Sequence, residues 1–158
     1  MPPTVEPRSP LGRPESDRRR LALLWGPVVL YCAFLFACSS VSQVPPLPGG
    51  MSDKAGHGLL YSGLGFLVAR ALAGGAGRPL SRSAAALAIL LAGLYGLTDE
   101  IHQWFVPPRQ VDMRDLLADV VGAAAGTAGL WLCGIIRRGT SAFLKTRSAE
   151  TSGKQGRA

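Results

Sequence analysis

Four apolar stretches run along the chain, separated by short segments rich in proline, glycine and charge. Leu21 to Val41 carries no charged residue; as a helix it would be about 31 Å long, enough to cross a bilayer. Pro45, Pro46, Pro48, Gly49 and Gly50 stop it. Ser52 or Asp53 is placed to cap a second helix reaching about Ala73. Its apolar core, Gly58 to Ala69, is short, and Arg70 near its end can snorkel to the interface. Gly74, Gly75, Gly77 and Pro79 predict a turn. A third helix follows from Ser83 to Phe105, with Trp104 and Phe105 where an interfacial aromatic belt is expected, and Pro107 and Pro108 end it. Asp112 is the expected N-cap of the fourth helix, which runs through Leu116 to Ile136 and closes at Arg137 and Arg138. The pattern predicts an all-α membrane protein, a bundle of four transmembrane helices over 21–137. A disordered basic arm at 1–20 and a disordered tail at 138–158 flank it.

Composition agrees with this pattern. Only 17% of the 158 residues are charged, against 47% hydrophobic; a soluble domain carries about a quarter charged residues. A disordered chain, a disulfide scaffold and a soluble enzyme are set aside. The net charge of +7 suggests nucleic acid at first sight, but the bases flank apolar runs and no aromatic residues interleave with them as a stacking platform. Sorted by the side each would face, Lys and Arg divide fourteen against three. The positive-inside rule then puts both termini in the cytoplasm and turns the loops at 42–56 and 106–115 outward. Cys32, Cys38 and Cys133 sit in apolar runs with no C-x-x-C spacing and read as small buried hydrophobes. Leu35-Phe36-Ala37-Cys38 loosely resembles a lipoprotein cleavage site, to which Phe36 is poorly suited.

Six of the ten acidic residues, Asp53, Asp99, Glu100, Asp112, Asp115 and Asp119, lie at the outward ends of helices two to four. Asp53, His57 and Tyr61 form one stripe at four-residue spacing. Glu100 and Gln103 share a face of helix three. Asp112, Asp115 and Asp119 line a face of helix four, which Gly122 and Gly126 continue at the small-xxx-small spacing that lets helices approach closely. If Trp104 marks the interface, Glu100 lies about 6 Å deeper and Asp119 about 10 Å inside helix four. A carboxylate facing lipid there costs on the order of 2–3 kcal/mol, so the three stripes are expected to converge. Simpler roles stand beside this expectation: caps and dipole partners for Asp112 and Asp115, interface solvation for Asp99 and His102, and internal ion pairs for Arg109.

The residues Asp53-Lys54-x-x-His57-x-x-x-Tyr61, Glu100-x-x-Gln103-x-Phe105-x-Pro107-x-Arg109 and Asp112-x-x-Asp115-x-x-x-Asp119-x-x-Gly122 together resemble the VanZ-like family. Their order and spacing carry the resemblance across about 53–126. It implies a small bacterial membrane protein of about four helices, in a family named after a member that lowers sensitivity to teicoplanin and has no agreed mechanism. The matching polar positions are Asp53, Lys54, His57, Tyr61, Glu100, Gln103, Arg109, Asp112 and Asp115. This chain has Pro108 where the family usually has Gly, and Asp119 where it usually has Asn.

Two functions compete. In the first, the protein is a non-enzymatic factor of the bacterial cytoplasmic membrane. Its outward pocket binds a membrane lipid or lipid-linked envelope intermediate, with Lys54, Tyr61, Gln103, Arg109, Asp112 and Asp115 as binding residues. In the second, it is a hydrolase or transferase acting on a lipid-linked anionic substrate. Asp53, His57, Glu100 and Asp119 are the candidate catalytic residues, and Asp53, His57 and Glu100 the candidate ligands of a divalent cation. Arg109 would hold the anion in either case. A proton-relay transporter ranks below both, since four short helices show no inverted repeat.

Overall fold

In a computed structural model the chain is all-helical. The structure describes residues 14–42, 50, 52–109 and 111–155, and side chains only from 15 to 135 within that span. Four helices follow one another: α1 (Pro14–Ser39), α2 (Asp53–Ala73), α3 (Arg82–Trp104) and α4 (Met113–Gln155). Three of them carry stretches long and apolar enough to cross a membrane, Glu15–Ser39, Arg82–Trp104 and Met113–Ile135. The shorter apolar core of α2 is offset by its position. It packs against each of the other three and buries Tyr61, Leu64, Gly65, Val68, Ala69 and Ala71, while its first turn, with Asp53 and Lys54, stays exposed at the end of the bundle.

Two boundaries differ from the sequence pattern. α1 begins at Pro14, seven residues before the first apolar run. Proline suits a first helical position, and Glu15 and Asp17 in the first turn complement the helix dipole. α4 is continuous to Gln155, beyond residue 138, where a disordered tail is expected. Residues 1–13 of the expected arm lie outside the described residues.

The helix ends are set locally. Ser52 caps α2, its side chain accepting from the Ala55 N–H at 3.3 Å. At the other end Gly74 adopts φ 75°, and the N–H groups of Gly74 and Gly75 return to the carbonyls of Ala71 and Arg70. This double closure needs the left-handed residue that glycine supplies. Ser81 caps α3 through the Ala84 N–H at 3.1 Å. Asp112 caps α4, accepting the Arg114 N–H at 2.8 Å.

Packing relies on small residues. The closest pair is α2 and α4, where a Cβ on Gly122 would collide with the Gly58 carbonyl. One on Gly126 would strike the Ser62 carbonyl, and one on Gly65 the backbone of Ala123. Ala69, Ala88, Ala92 and Ala123 are fully buried beside Tyr61 and Leu64. Val29, Leu30, Leu90, Leu94, Leu117 and Val121 point outward. This inversion, small residues inside and large aliphatics outside, is what a bundle in lipid shows, because burial against lipid gives no reason to keep large apolar groups within. α1 is held more lightly, through Tyr31 to the Leu60 carbonyl at 2.9 Å and Tyr95 to the Cys32 carbonyl at 2.6 Å.

Candidate functional site

The C-terminal ends of α1 and α3 and the N-terminal ends of α2 and α4 lie at one end of the bundle, and the acidic residues gather there. At the end of the glycine seam that brings α2 against α4, His57 meets Asp119, Nδ1 to Oδ1 at 3.0 Å. The imidazole is nearly enclosed and Asp119 is fully buried. Another turn out, Lys54 bridges the two helices, donating to Asp112 at 3.0 Å and Asp115 at 3.2 Å. The Arg114 N–H and then the Lys54 ammonium hold the Asp112 carboxyl below the usual carboxylate range.

α3 supplies the third wall. Glu100 is only 1% exposed, and its Oε2 accepts the backbone N–H of Asp112 at 3.0 Å. One carboxylate thereby ties the end of α3 to the cap of α4. A ligand atom from each of His57, Glu100 and Asp119 lies within 4.8 Å of the others, and Asp53, His57 and Asp115 form a second, more open group with the same property. Four buried oxygens in this region, Glu100 Oε1, Asp119 Oδ2, the Tyr61 hydroxyl and Ser39 Oγ, have no hydrogen-bond partner among the described residues. A buried polar atom without a partner costs about 1–3 kcal/mol, so the arrangement has unspent capacity to bind.

A cavity of about 280 Å³ opens beside this cluster. Leu35, Cys38 and Leu60 line it together with Asp53, His57, Tyr61, Asp99, Gln103 and Arg109, and the surface these residues present to it is mostly apolar. Arg109 donates from Nε to the Val41 carbonyl at 3.2 Å, and among the described residues it forms no ion pair with a carboxylate. The guanidinium is therefore anchored by one nitrogen at the cavity wall.

Of the candidate residues, His57, Glu100 and Asp119 form the buried group, and Lys54, Asp112 and Asp115 an ion-paired rim. Tyr61, Gln103 and Arg109 line the cavity, and Asp53 stands exposed at its edge. Gly122 and Gly126 lie in the helix seam, away from the cavity. Three features differ from the sequence reading. Asp99, read as solvated at the interface, is buried and accepts from Gln103 Nε2 at 3.2 Å; the four-residue spacing of the two was the available signal. His102 is half-buried, stacked on Phe36 and bonded to Ser40 Oγ at 3.0 Å. Cys38 and Ser39 of α1 also line the cavity, and no spacing within one helix points to that.

A family model, VanZ/LLP1, matches residues 18–136, which takes in the membrane helices and the whole of this cluster. The chain belongs to the VanZ/LLP1 family. No curated protein and no solved structure matches it. Within the VanZ/LLP1 region the buried group draws on three helices, so it depends on the tertiary fold rather than on any one motif.

Proposed function

We propose that this VanZ/LLP1 membrane protein acts in cell-envelope physiology by binding the anionic head group of a lipid or lipid-linked cell-wall intermediate. The observation that carries the reading is Arg109, a guanidinium on the wall of an amphiphilic cavity, tied to a backbone carbonyl and paired with no described carboxylate. A planar fork in that setting suits phosphate or carboxylate. The mostly apolar surface of the cavity suits the first carbons of a lipid chain. At about 280 Å³ the cavity falls just short of the roughly 300 Å³ at which small-molecule pockets begin, and so matches a head group rather than a large glycopeptide.

The orientation is part of the proposal. Arg18, Arg19, Arg20, Arg70, Arg78 and Arg82 lie at the end of the bundle remote from the acidic cluster. Under the positive-inside rule that end and both termini face the cytoplasm of a bacterial cell, and the cavity faces outward. A change in teicoplanin sensitivity is the corresponding phenotype.

The test is native mass spectrometry of the full chain with defined lipids. Anionic phosphatidylglycerol or a polyprenyl phosphate is expected to be retained over phosphatidylcholine, and Arg109→Lys is expected to cut that retention about tenfold with unchanged thermal stability. Equal retention of the zwitterionic lipid sinks the reading. A second reading, a hydrolase or transferase on a lipid-linked anionic substrate, is favoured by one observation. His57, held by Asp119 at 3.0 Å, is oriented at the cavity wall as an acid–base group requires. Turnover of a polyprenyl phosphate derivative that is lost in His57→Gln would establish it.

A further inference from the structure

We propose that His57, Glu100 and Asp119 form a binding site for a divalent transition-metal ion of the zinc class. This goes beyond head-group binding and does not depend on it, because the three residues and their geometry define the site without Arg109.

Three observations converge. First, the ligand set is right. One imidazole and two carboxylates from three different helices offer atoms within 4.8 Å of one another. A tetrahedral ion with ligands at about 2.0–2.2 Å needs them about 3.3–3.6 Å apart. His57 Nδ1 and Asp119 Oδ1, at 3.0 Å, are already near that spacing, and Glu100 offers a carboxylate oxygen within 4.8 Å of both residues' ligand atoms.

Second, each carboxylate has one oxygen left over. Glu100 and Asp119 are 1% and 0% exposed; one oxygen of each is bonded, to the Asp112 N–H and to His57, yet the other is buried with no partner among the described residues. A structural ion-pair network would use those oxygens. The competing group, Asp53, His57 and Asp115, lacks this property, since Asp53 is exposed and Asp115 is already paired with Lys54.

Third, the charge closes. Two buried carboxylates beside a neutral imidazole are balanced by one dication. Both carboxylates belong to helices that cross a membrane, where unpaired charge is costly. Three protein ligands next to a cavity also leave a coordination position for water or a ligand oxygen, as in catalytic rather than structural zinc sites.

The experiment uses the full chain in nanodiscs, tag removed, stripped with chelator and titrated with Zn²⁺ by calorimetry, with metal content measured by mass spectrometry. One ion per chain is expected. Glu100→Gln and Asp119→Asn are each expected to weaken binding about 100-fold, at least the upper range seen for residues that merely support ligands. Asp53→Asn is expected to leave affinity within about twofold. X-ray absorption of the zinc-loaded wild-type chain should show nitrogen and oxygen ligands only. Three outcomes overturn the proposal: no stoichiometric ion on the wild-type chain, loss of binding in Asp53→Asn with retention in Glu100→Gln, or a sulfur ligand from cavity-lining Cys38. The wild-type stoichiometry and ligand spectrum decide the matter even if a variant fails to fold.

Discussion

The α2–α4 interface has two halves built on opposite principles. In the glycine half, Gly58 with Gly122, Ser62 with Gly126 and Gly65 with Ala123 bring two backbones together with no side chain between them. In the polar half, which begins at the residue next to Gly58 on α2 and about one turn before Gly122 on α4, His57 reaches Asp119 and Lys54 reaches Asp112 and Asp115. The first half makes the second possible. Close backbones at the seam put short polar side chains within hydrogen-bond reach beside it, at a depth where neither could face lipid without cost. The halves also differ in completeness. The seam leaves no room for a Cβ at Gly65, Gly122 or Gly126, whereas the polar half keeps oxygens on Glu100, Asp119 and Tyr61 that are unpartnered among the described residues.

The largest expected effect comes from breaking the seam. Gly126→Leu would drive a side chain into the Ser62 carbonyl and the Phe66 amide, neither of which can give way without moving a helix. A loss of about 3 kcal/mol or more is expected, read as a lower thermal midpoint in detergent or as failure to accumulate. Gly134→Leu, where nothing lies within 4 Å, should leave the midpoint unchanged. Equal effects from the two would refute the seam as the source of the bundle's stability.

Next comes the buried pair, measured in chelator-treated protein. His57→Leu leaves Asp119 enclosed without its partner, an expected cost of about 3 kcal/mol. The double variant His57→Leu with Asp119→Leu should recover most of it, because replacing both members of a buried pair with apolar groups is often near neutral. If the double variant is no better than the single, the pair contributes more than mutual compensation and the comparison must be redrawn.

The two halves were unequally legible in the sequence. Charge-free runs and proline–glycine breaks locate the helices, and Ser52 and Asp112 follow capping chemistry that single residues declare, whereas the Ser81 cap of α3 lies two residues before the expected start at Ser83. The Gly122–Gly126 spacing announces a close approach, although not that Gly58 and Ser62 receive it. Stripes at four-residue spacing identify which side chains share a face. They do not say which stripe meets which, so the pairing of His57 with Asp119 and the burial of Asp99 required the tertiary fold. Nor can periodicity reveal the α1 wall of the cavity, since Cys38 and Ser39 contribute only by proximity. The early start of α1 escaped a hydropathy reading because Pro14, Glu15 and Asp17 favour a helix start while being polar.

The smallest expected effect lies at the outer edge of the polar half, in the cap of α4. Asp112 accepts the Arg114 N–H at 2.8 Å and the Lys54 ammonium at 3.0 Å, and both hold its carboxyl below its usual value. A depressed folded-state value means that the carboxylate stabilises the fold fully above the unfolded pKa, near 3.9. That contribution is lost as pH falls through the lower folded value. Because Asp112 and Lys54 are solvent-exposed, screening keeps the ion-pair part small. Thermal midpoints of wild type and Asp112→Asn should therefore differ slightly but measurably at pH 6 and converge as pH drops below about 4. The asparagine keeps the cap, so the comparison isolates the charge. Raising salt at pH 6 should narrow the gap further, whereas the His57–Asp119 effect, being buried, should be almost insensitive to salt. A gap that does not shrink as pH falls below the unfolded value, or a salt response as large at His57 as at Asp112, would erase the distinction between an exposed rim and an enclosed pair.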